Sequence, residues 1–236
     1  MTERKIALYD IDKTSYERYL IIDFVGYQVS TGTLKKETLE KIKEEDRLNK
    51  AGQKGYEKMA QDMLVHWAKN LKDKRVLDVE KEVHDFFKTP DGNKFLPFVK
   101  ESINLLNPTH DTYFVTAEPQ FVAEEVTRIH QATGFISTLF EIKDELFTGE
   151  IASSLAKSED KGSKVGKLMQ THLYKDSIAF GDSIGDKEML EGVEYPICVN
   201  PNAELAKIRD EKGWKNIKTD EIVIFVANVI SQNQKR

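Results

Sequence analysis

The stretch Lys5-Ile-Ala-Leu-Tyr-Asp-Ile-Asp-Lys-Thr14 decides the fold of this chain. It opens with a short apolar run, which is typical of a strand buried inside a parallel sheet. Two carboxylates, Asp10 and Asp12, follow the run, and their spacing places them on the same side of the chain. Acids so close together predict a bound cation or a shared proton, because uncompensated like charges repel in a low dielectric. A pair of acids that only caps a turn explains this motif alone equally well.

Later segments repeat the same form. Short apolar strands are predicted at Thr112–Thr116 and Ser177–Asp182, and a weaker one at Tyr195–Asn200. Apolar residues at helical spacing predict helices over Phe121–Ile129 and Lys164–Leu173. Alternating strands and helices predict an α/β fold, in which a Rossmann-like parallel sheet is flanked by helices.

The region 15–90 interrupts this alternation. It carries no strand pattern, and its apolar residues are spaced as in amphipathic helices over Tyr56–Leu71 and Val76–Phe86. We therefore expect an inserted all-helical cap domain at 15–90 and a core domain made of 1–14 and 91–236. Because the insert follows the first strand, we expect it to lie over the ligand side of the sheet.

The composition excludes several classes of protein. With 40 acidic and 35 basic side chains among 236 residues, the net charge of −5 does not suit a partner that is nucleic acid. The charge run Lys35–Lys50 predicts a solvated helix face. The apolar run Ile222–Ile230 predicts a docked C-terminal helix, because crossing a membrane takes roughly 20 residues. Cys198 has no disulfide partner, which fits a reducing cytoplasm, and the polar end 232–236 is expected to fray.

A second acidic motif, Gly181-Asp-Ser-Ile-Gly-Asp186, follows the strand that ends near Asp182. The carboxyl ends of parallel strands meet at one edge of a sheet, so Asp10, Asp12, Asp182 and Asp186 are expected to converge. Such an oxygen-rich site suits Mg²⁺. The alternative is a glycine turn that only caps the following helix.

Anion-binding groups are expected at the same edge. Thr116 ends the middle strand, and we expect Ala117-Glu-Pro119 to open a helix whose peptide N–H groups would bind phosphate together with the Thr116 hydroxyl. An ordinary helix cap is the alternative there. Lys161 precedes the next predicted helix and would neutralise a phosphoryl group, with Lys164 as the competing residue.

In order along the chain, the Asp-x-Asp-x-Thr loop, the threonine, the lysine and the paired-acid loop resemble the four motifs of the haloacid dehalogenase (HAD) superfamily. The match looks most like its phosphoserine-phosphatase-like branch, subfamily IB, in which a helical C1-type cap follows the first motif. Val115–Val122 resembles the second motif of that branch, Phe147–Ile151 its small β-flap, and Leu205–Trp214 a late segment of its bacterial members. Gly185 stands where phosphoserine phosphatases commonly carry Asn.

The resemblance implies a Mg²⁺-dependent phosphomonoesterase that acts on a small phosphorylated metabolite. It implies that Asp10 is the nucleophile that forms an aspartyl-phosphate and that Asp12 is the general acid and base. Thr116 and Lys161 would bind the phosphoryl oxygens.

The resemblance also implies a set of metal ligands. An oxygen of Asp10, the main-chain carbonyl of Asp12 and the carboxylate of Asp182 would hold Mg²⁺, with Asp186 behind them in the second shell. We expect a monomer or homodimer with no nucleic-acid or membrane partner.

Several alternative functions stay open. One is a specific phosphoserine phosphatase. A dehalogenase of the same fold needs the first acid but not Asp12, so the second acid favours phosphoryl chemistry. A protein of another class, a receiver-like phospho-acceptor or non-catalytic phosphate-binding module, also collects acids, Thr and Lys at a sheet edge.

Overall fold

A single sheet organises the molecule. The computed structural model describes the backbone of residues 4–234 and the side chains as far as Ser231. Its strands are β1 (Lys5–Tyr9), β2 (His110–Pro119), β3 (Gly134–Lys143), β4 (Leu146–Ser153), β5 (Leu173–Gly181), β6 (Tyr195–Cys198) and β7 (Lys215–Asn216). The order across the sheet is β4-β3-β2-β1-β5-β6-β7, in which β3 and β4 are antiparallel and the other neighbours are parallel. This confirms the predicted Rossmann-like α/β fold.

Ten helices accompany the sheet in the described part of the chain. They are α1 (Leu20–Ser30), α2 (Lys36–Lys50), α3 (Tyr56–Leu71), α4 (Val76–Phe86), α5 (Pro97–Leu106), α6 (Gln120–His130), α7 (Ser158–Met169), α8 (Lys187–Glu191), α9 (Ala203–Lys212) and α10 (Ile222–Gln234). The helical insert, residues 15–90, holds α1 to α4 and contributes no strand to the sheet. The domain boundaries at 14/15 and 90/91 stay predictions.

The strand register brings distant residues to one edge of the sheet. Tyr9 of β1 pairs with Phe114 of β2 on one side and with Phe180 of β5 on the other. Since all three strands are parallel, the residues just beyond these pairs lie at the same edge. They are Asp10, Thr116 and Asp182.

The helical insert shares its hydrophobic core with the sheet. The ring of Trp67 on α3 packs edge-on against Phe24 of α1, and also against Phe121 of α6 and Phe140 of β3. Its indole N–H donates to the side-chain oxygen of Gln28 at 2.9 Å, which satisfies the polar end of this buried side chain. Continuous apolar packing therefore holds the insert against α6 and β3.

The position of α7 corrects the sequence prediction. The helix runs over Ser158–Met169 rather than Lys164–Leu173, so it begins six residues earlier, and Leu173 opens β5 instead. Glu159 and Asp160 in the first turn favour the earlier start, because negative charge stabilises a helix N-terminus. Lys161 consequently lies within the helix and not in the loop before it.

The end of β2 is a second correction. The sequence predicts that Ala117-Glu-Pro119 opens a helix, but β2 runs to Pro119 and α6 begins at Gln120. The hydroxyl of Thr116 accepts the N–H of Glu118 at 3.1 Å, and Pro119 still pairs with Thr138 of β3. The peptide N–H groups near Ala117 therefore belong to a strand end and not to a helix N-terminus.

Other predictions concern the far end of the chain. Cys198 is a free, buried thiol in β6. Across residues 4–234, none of the helices combines the length and the apolar character that a membrane span requires. The predicted fraying of 232–236 lies outside the residues whose side chains are described.

Candidate active site

Lys161 lies at the centre of a buried ion cluster. Its Nζ donates to Oδ1 of Asp10 at 2.7 Å and to Oδ1 of Asp186 at 2.7 Å. The exposed fractions are 4% for Lys161, 4% for Asp10 and 0% for Asp186, so the three charges are shielded from water. Lys164 is exposed on the same helix. Of the two lysines that the sequence leaves open, the structure brings Lys161 to the acids.

The acidic loop after β5 is built around Asp186. Its Oδ2 accepts the backbone N–H of Asp182 at 3.2 Å and that of Ser183 at 3.1 Å, together with the Ser183 hydroxyl at 3.1 Å. A Cβ on Gly181 would lie 2.6 Å from the Cβ of Asp186, so only glycine permits this approach. Asp186 is thus saturated with hydrogen bonds from its own loop and from Lys161.

The side chain of Asp182, unlike that of Asp186, is not saturated with hydrogen bonds. It is 4% exposed, and its Oδ1 has no hydrogen-bond partner among the described residues. One oxygen each from Asp10, Asp182 and Asp186 lies within 4.8 Å of the other two. Three buried carboxylates with one unsatisfied oxygen are suited to a hard cation such as Mg²⁺, which oxygen ligands bind.

Burial and mutual repulsion raise the pKa values of Asp10 and Asp182. Burial, and then the charge of Asp186, raise the pKa of Asp10 to about 8 despite the opposing charge of Lys161. The same two causes raise the pKa of Asp182 well above its usual value. The charges of Asp10 and Asp186 raise the pKa of Lys161 although burial opposes them. A bound divalent cation would favour the ionised acids, so cation binding should release protons.

Asp12 faces the insert rather than the ion cluster. Its Oδ1 accepts the N–H of Leu20, the first residue of α1, at 2.7 Å. Burial raises the pKa of Asp12 to about 6, although this hydrogen bond and the charge of Lys161 oppose the shift. Lys13 has a φ of 58°, and this left-handed turn separates Asp12 from the buried Thr14. Asp12 therefore lies at the border between the sheet and the insert.

Sequence reasoning missed Glu118. This residue is 2% exposed, and its Oε1 accepts the N–H of Ile21, next to the N–H that Asp12 binds. Burial, and then the neighbouring charge of Asp12, raise the pKa of Glu118 well above its usual value. The available signal is an acid two residues beyond Thr116, close to the end of a strand. The sequence pattern instead assigns Glu118 to a helix start at Ala117-Glu-Pro119.

The insert contacts the edge of the sheet through the beginning of α3. The ring of Tyr56 covers Gly185, because a Cβ there would lie 2.9 Å from Cε1 of Tyr56. Glu57 Oε1 accepts the N–H of Ser158, the first residue of α7, at 2.9 Å. The insert thus covers the acidic loop and caps the helix that carries Lys161.

A small cavity lies between the insert and the sheet edge. It encloses about 30 Å³. Its lining residues are Asp12, Tyr19, Ile21, Tyr56, Met59, Ala60, Met63, Leu64, Ala117 and Glu118. A cavity of this size, next to the acids of the edge, suits a small chemical group rather than a large ligand.

Fold and site together define an α/β protein with a buried cluster of carboxylates and a lysine at the carboxyl ends of its strands. The chain belongs to the haloacid dehalogenase-like hydrolase family, whose model matches residues 7–191. Phosphoserine phosphatase SerB1 of Mycobacterium tuberculosis is 29% identical over 112 residues, which are 47% of this chain and 36% of that protein. The match thus spans little more than a third of the length of this relative.

Solved structures share the architecture. A protein with unknown function from Bordetella pertussis Tohama I superposes with a TM-score of 0.74 at 22% identity, over 92% of this chain and 100% of that one. A substrate-bound phosphoserine phosphatase complex has a TM-score of 0.65 at 18% identity, over 88% of this chain and 91% of that one. At these identities the likeness shows the fold.

Proposed function

We propose that the chain is a Mg²⁺-dependent phosphomonoesterase that hydrolyses a small phosphorylated metabolite through an aspartyl-phosphate intermediate. The observation that carries the proposal is the position of Lys161, 2.7 Å from oxygens of both Asp10 and Asp186 at the sheet edge. A buried lysine among acids is suited to neutralise the negative oxygens of a phosphoryl group. The name of the mycobacterial phosphatase that matches part of the chain supports the same chemistry.

Asp10 is the proposed nucleophile. Its carboxylate oxygen attacks phosphorus, a bond from Asp10 to phosphorus forms, and the bond from phosphorus to the leaving alkoxide breaks. Asp12 protonates that alkoxide and then removes a proton from the water that attacks the phosphoryl group, so that phosphate leaves and Asp10 is restored. Lys161 and the Thr116 hydroxyl bind the phosphoryl oxygens throughout.

The proposed cation is Mg²⁺. The cluster offers oxygen ligands only, and the unsatisfied Oδ1 of Asp182 supports a ligand role. Asp10, the main-chain carbonyl of Asp12 and Asp182 would hold the ion. Asp186 would act from behind them, because its oxygens already accept from Lys161 and from its own loop. When bound, Mg²⁺ neutralises charge on the phosphoryl group.

The test follows phosphate release from 4-nitrophenyl phosphate with Mg²⁺ or with EDTA. We expect release that depends on the metal, and we expect Asp10→Asn to abolish it while the protein stays folded by circular dichroism. Mass spectrometry of acid-quenched samples should find a phosphoryl adduct on the wild type and none on the variant. The control is Asp85→Asn, which changes a half-buried helix acid of α4 that pairs with lysines.

The outcomes separate the candidate functions. Phosphate release by Asp10→Asn at the wild-type rate would reject Asp10 as the nucleophile. A stable adduct on the wild type without phosphate release would favour a phospho-acceptor module over an enzyme.

A further inference from the structure

Glu118 is a buried carboxyl group that its surroundings satisfy only in part. Its Oε1 accepts the N–H of Ile21 at 2.9 Å, whereas its Oε2 has no hydrogen-bond partner among the described residues. A polar atom left without a partner inside a protein is costly, and such atoms in native structures call for an explanation. A ligand group that donates hydrogen bonds to Oε2 would supply one.

The cavity that Glu118 lines accepts only certain chemistry. Its two acids are Asp12 and Glu118, and the remaining lining residues are apolar or aromatic. Arg, Lys and His are all missing from this described lining, so the charges that line the cavity itself are negative. Lys13 already places its ammonium 3.6 Å from the centroid of the Tyr19 ring, so the ring of Tyr56 is the one left to attract a further positive charge. The cavity therefore suits a cation.

The place of the cavity identifies which part of a substrate would enter it. Asp12 lines the same cavity, and under the proposed function it protonates the leaving oxygen. The remainder of the leaving alcohol must then extend past Asp12 towards Glu118. Asp12 and Glu118 accept the N–H groups of the adjacent residues Leu20 and Ile21, so only a short carbon chain separates the ester oxygen from a group that reaches Glu118.

We propose that Glu118 selects a primary ammonium group on the leaving alcohol, so that the substrates are phosphate monoesters of short amino alcohols that carry no carboxylate. The inference rests on the proposed function and names its substrate class. The ammonium donates to Oε2 of Glu118 and lies against Tyr56. A primary ammonium carries N–H groups that can donate to Oε2, whereas a trimethylammonium group has none.

The experiment compares two esters that differ in charge but hardly in size, O-phosphoethanolamine and propyl phosphate. The wild type is expected to prefer the ammonium ester by about 10- to 100-fold in kcat/KM, as befits a charge-assisted hydrogen bond. Glu118→Gln keeps an acceptor for the Ile21 N–H but cannot carry the negative charge that a bound ammonium would stabilise. We expect it to bring the ratio of the two kcat/KM values close to one, mainly through the KM of the ammonium ester.

Three further measurements sharpen the test. Glu17→Gln makes the same substitution at an exposed position shortly before α1, the helix that contains Ile21. It should leave the ratio of the two kcat/KM values as in the wild type. Phosphoserine adds a carboxylate and phosphocholine adds three methyl groups to the nitrogen. The kcat/KM for each should therefore be at least about tenfold lower than for phosphoethanolamine. Binding of phosphoethanolamine and propyl phosphate to Asp10→Asn, measured by calorimetry, should show the same preference without turnover.

Each contrary result has a definite meaning. Equal kcat/KM values of the wild type for the two esters, or an unchanged ratio in Glu118→Gln, overturn the role of Glu118 and leave the phosphatase proposal standing. Turnover of phosphoserine or phosphocholine as fast as phosphoethanolamine overturns the substrate class. If the wild type hydrolyses none of these esters and no 4-nitrophenyl phosphate, the proposed function fails and this inference fails with it.

Discussion

The sheet edge and the helical insert contribute opposite kinds of surface to the candidate site. The edge contributes buried charge, with Lys161 between Asp10 and Asp186. The insert contributes apolar rings such as Tyr56 and the peptide N–H of Leu20. Under the proposed function, the reaction takes place at the edge and the insert covers the leaving group, which Glu118 of β2 would select. Substitutions in the two regions should therefore fail in different ways.

The largest effect is expected from Lys161→Met. The change removes the cation between two buried acids, so phosphate release should fall by about 10³-fold or more. The free energy of unfolding in EDTA should fall by about 3 kcal/mol, because buried charges lose their partner. Kinetics with 4-nitrophenyl phosphate and urea denaturation measure both quantities.

The matched control for this change is Lys164→Met on the same helix. Lys164 is exposed, so its activity and stability should stay at wild-type values. Equal effects of the two substitutions would break the assignment of Lys161 to the sheet edge.

A smaller loss is expected from Asp12→Ala. Proton transfer by a positioned group contributes about 10²–10⁴-fold, and an aryl ester needs it least, so release from 4-nitrophenyl phosphate should fall by about 10²-fold. A phosphoryl adduct should then accumulate, because the attacking water has lost its base. Rapid-quench mass spectrometry measures the adduct, and its breakdown at the wild-type rate would contradict the role of Asp12.

The contact between the two regions is tested by Gly185→Ala. The added Cβ would lie 2.9 Å from the ring of Tyr56, which must move away from the acidic loop. Overpacking of about 1 kcal/mol predicts a rise in KM of about fivefold with a smaller change in kcat. As a control, Gly166→Ala meets no atom within 4 Å and should raise stability by about 0.5–1 kcal/mol without affecting KM. A lower kcat at constant KM would place this contact with the chemistry instead.

The smallest effect is expected from Glu57→Ala, which removes the acceptor for the N–H of Ser158 at the start of α7. Loss of this cap from the insert should lower the free energy of unfolding by about 1 kcal/mol. Glu57→Gln keeps an acceptor oxygen and should recover part of the loss. Urea denaturation separates the two variants, and equal stability of all three proteins would show that the cap is not used.

The sequence predicted the sheet edge better than the insert. Apolar runs that end in acid located β1 and β5, and their parallel pairing follows from the alternation with helices. The convergence of Asp10 and Asp182 could therefore be expected before any coordinates. Helix starts were harder, because α7 begins in the polar stretch Ser158-Glu-Asp-Lys161, where no apolar spacing marks the first turn.

The sequence by itself determined which residues end the strands, and with them the acids at one edge of the sheet, because hydrophobic pattern and parallel pairing are set locally. Only the tertiary structure decided between Lys161 and Lys164, brought Glu118 beside Asp12 and laid Tyr56 over Gly185. These contacts join segments far apart in the chain, and their energies depend on burial and on partners that no local pattern of residues encodes.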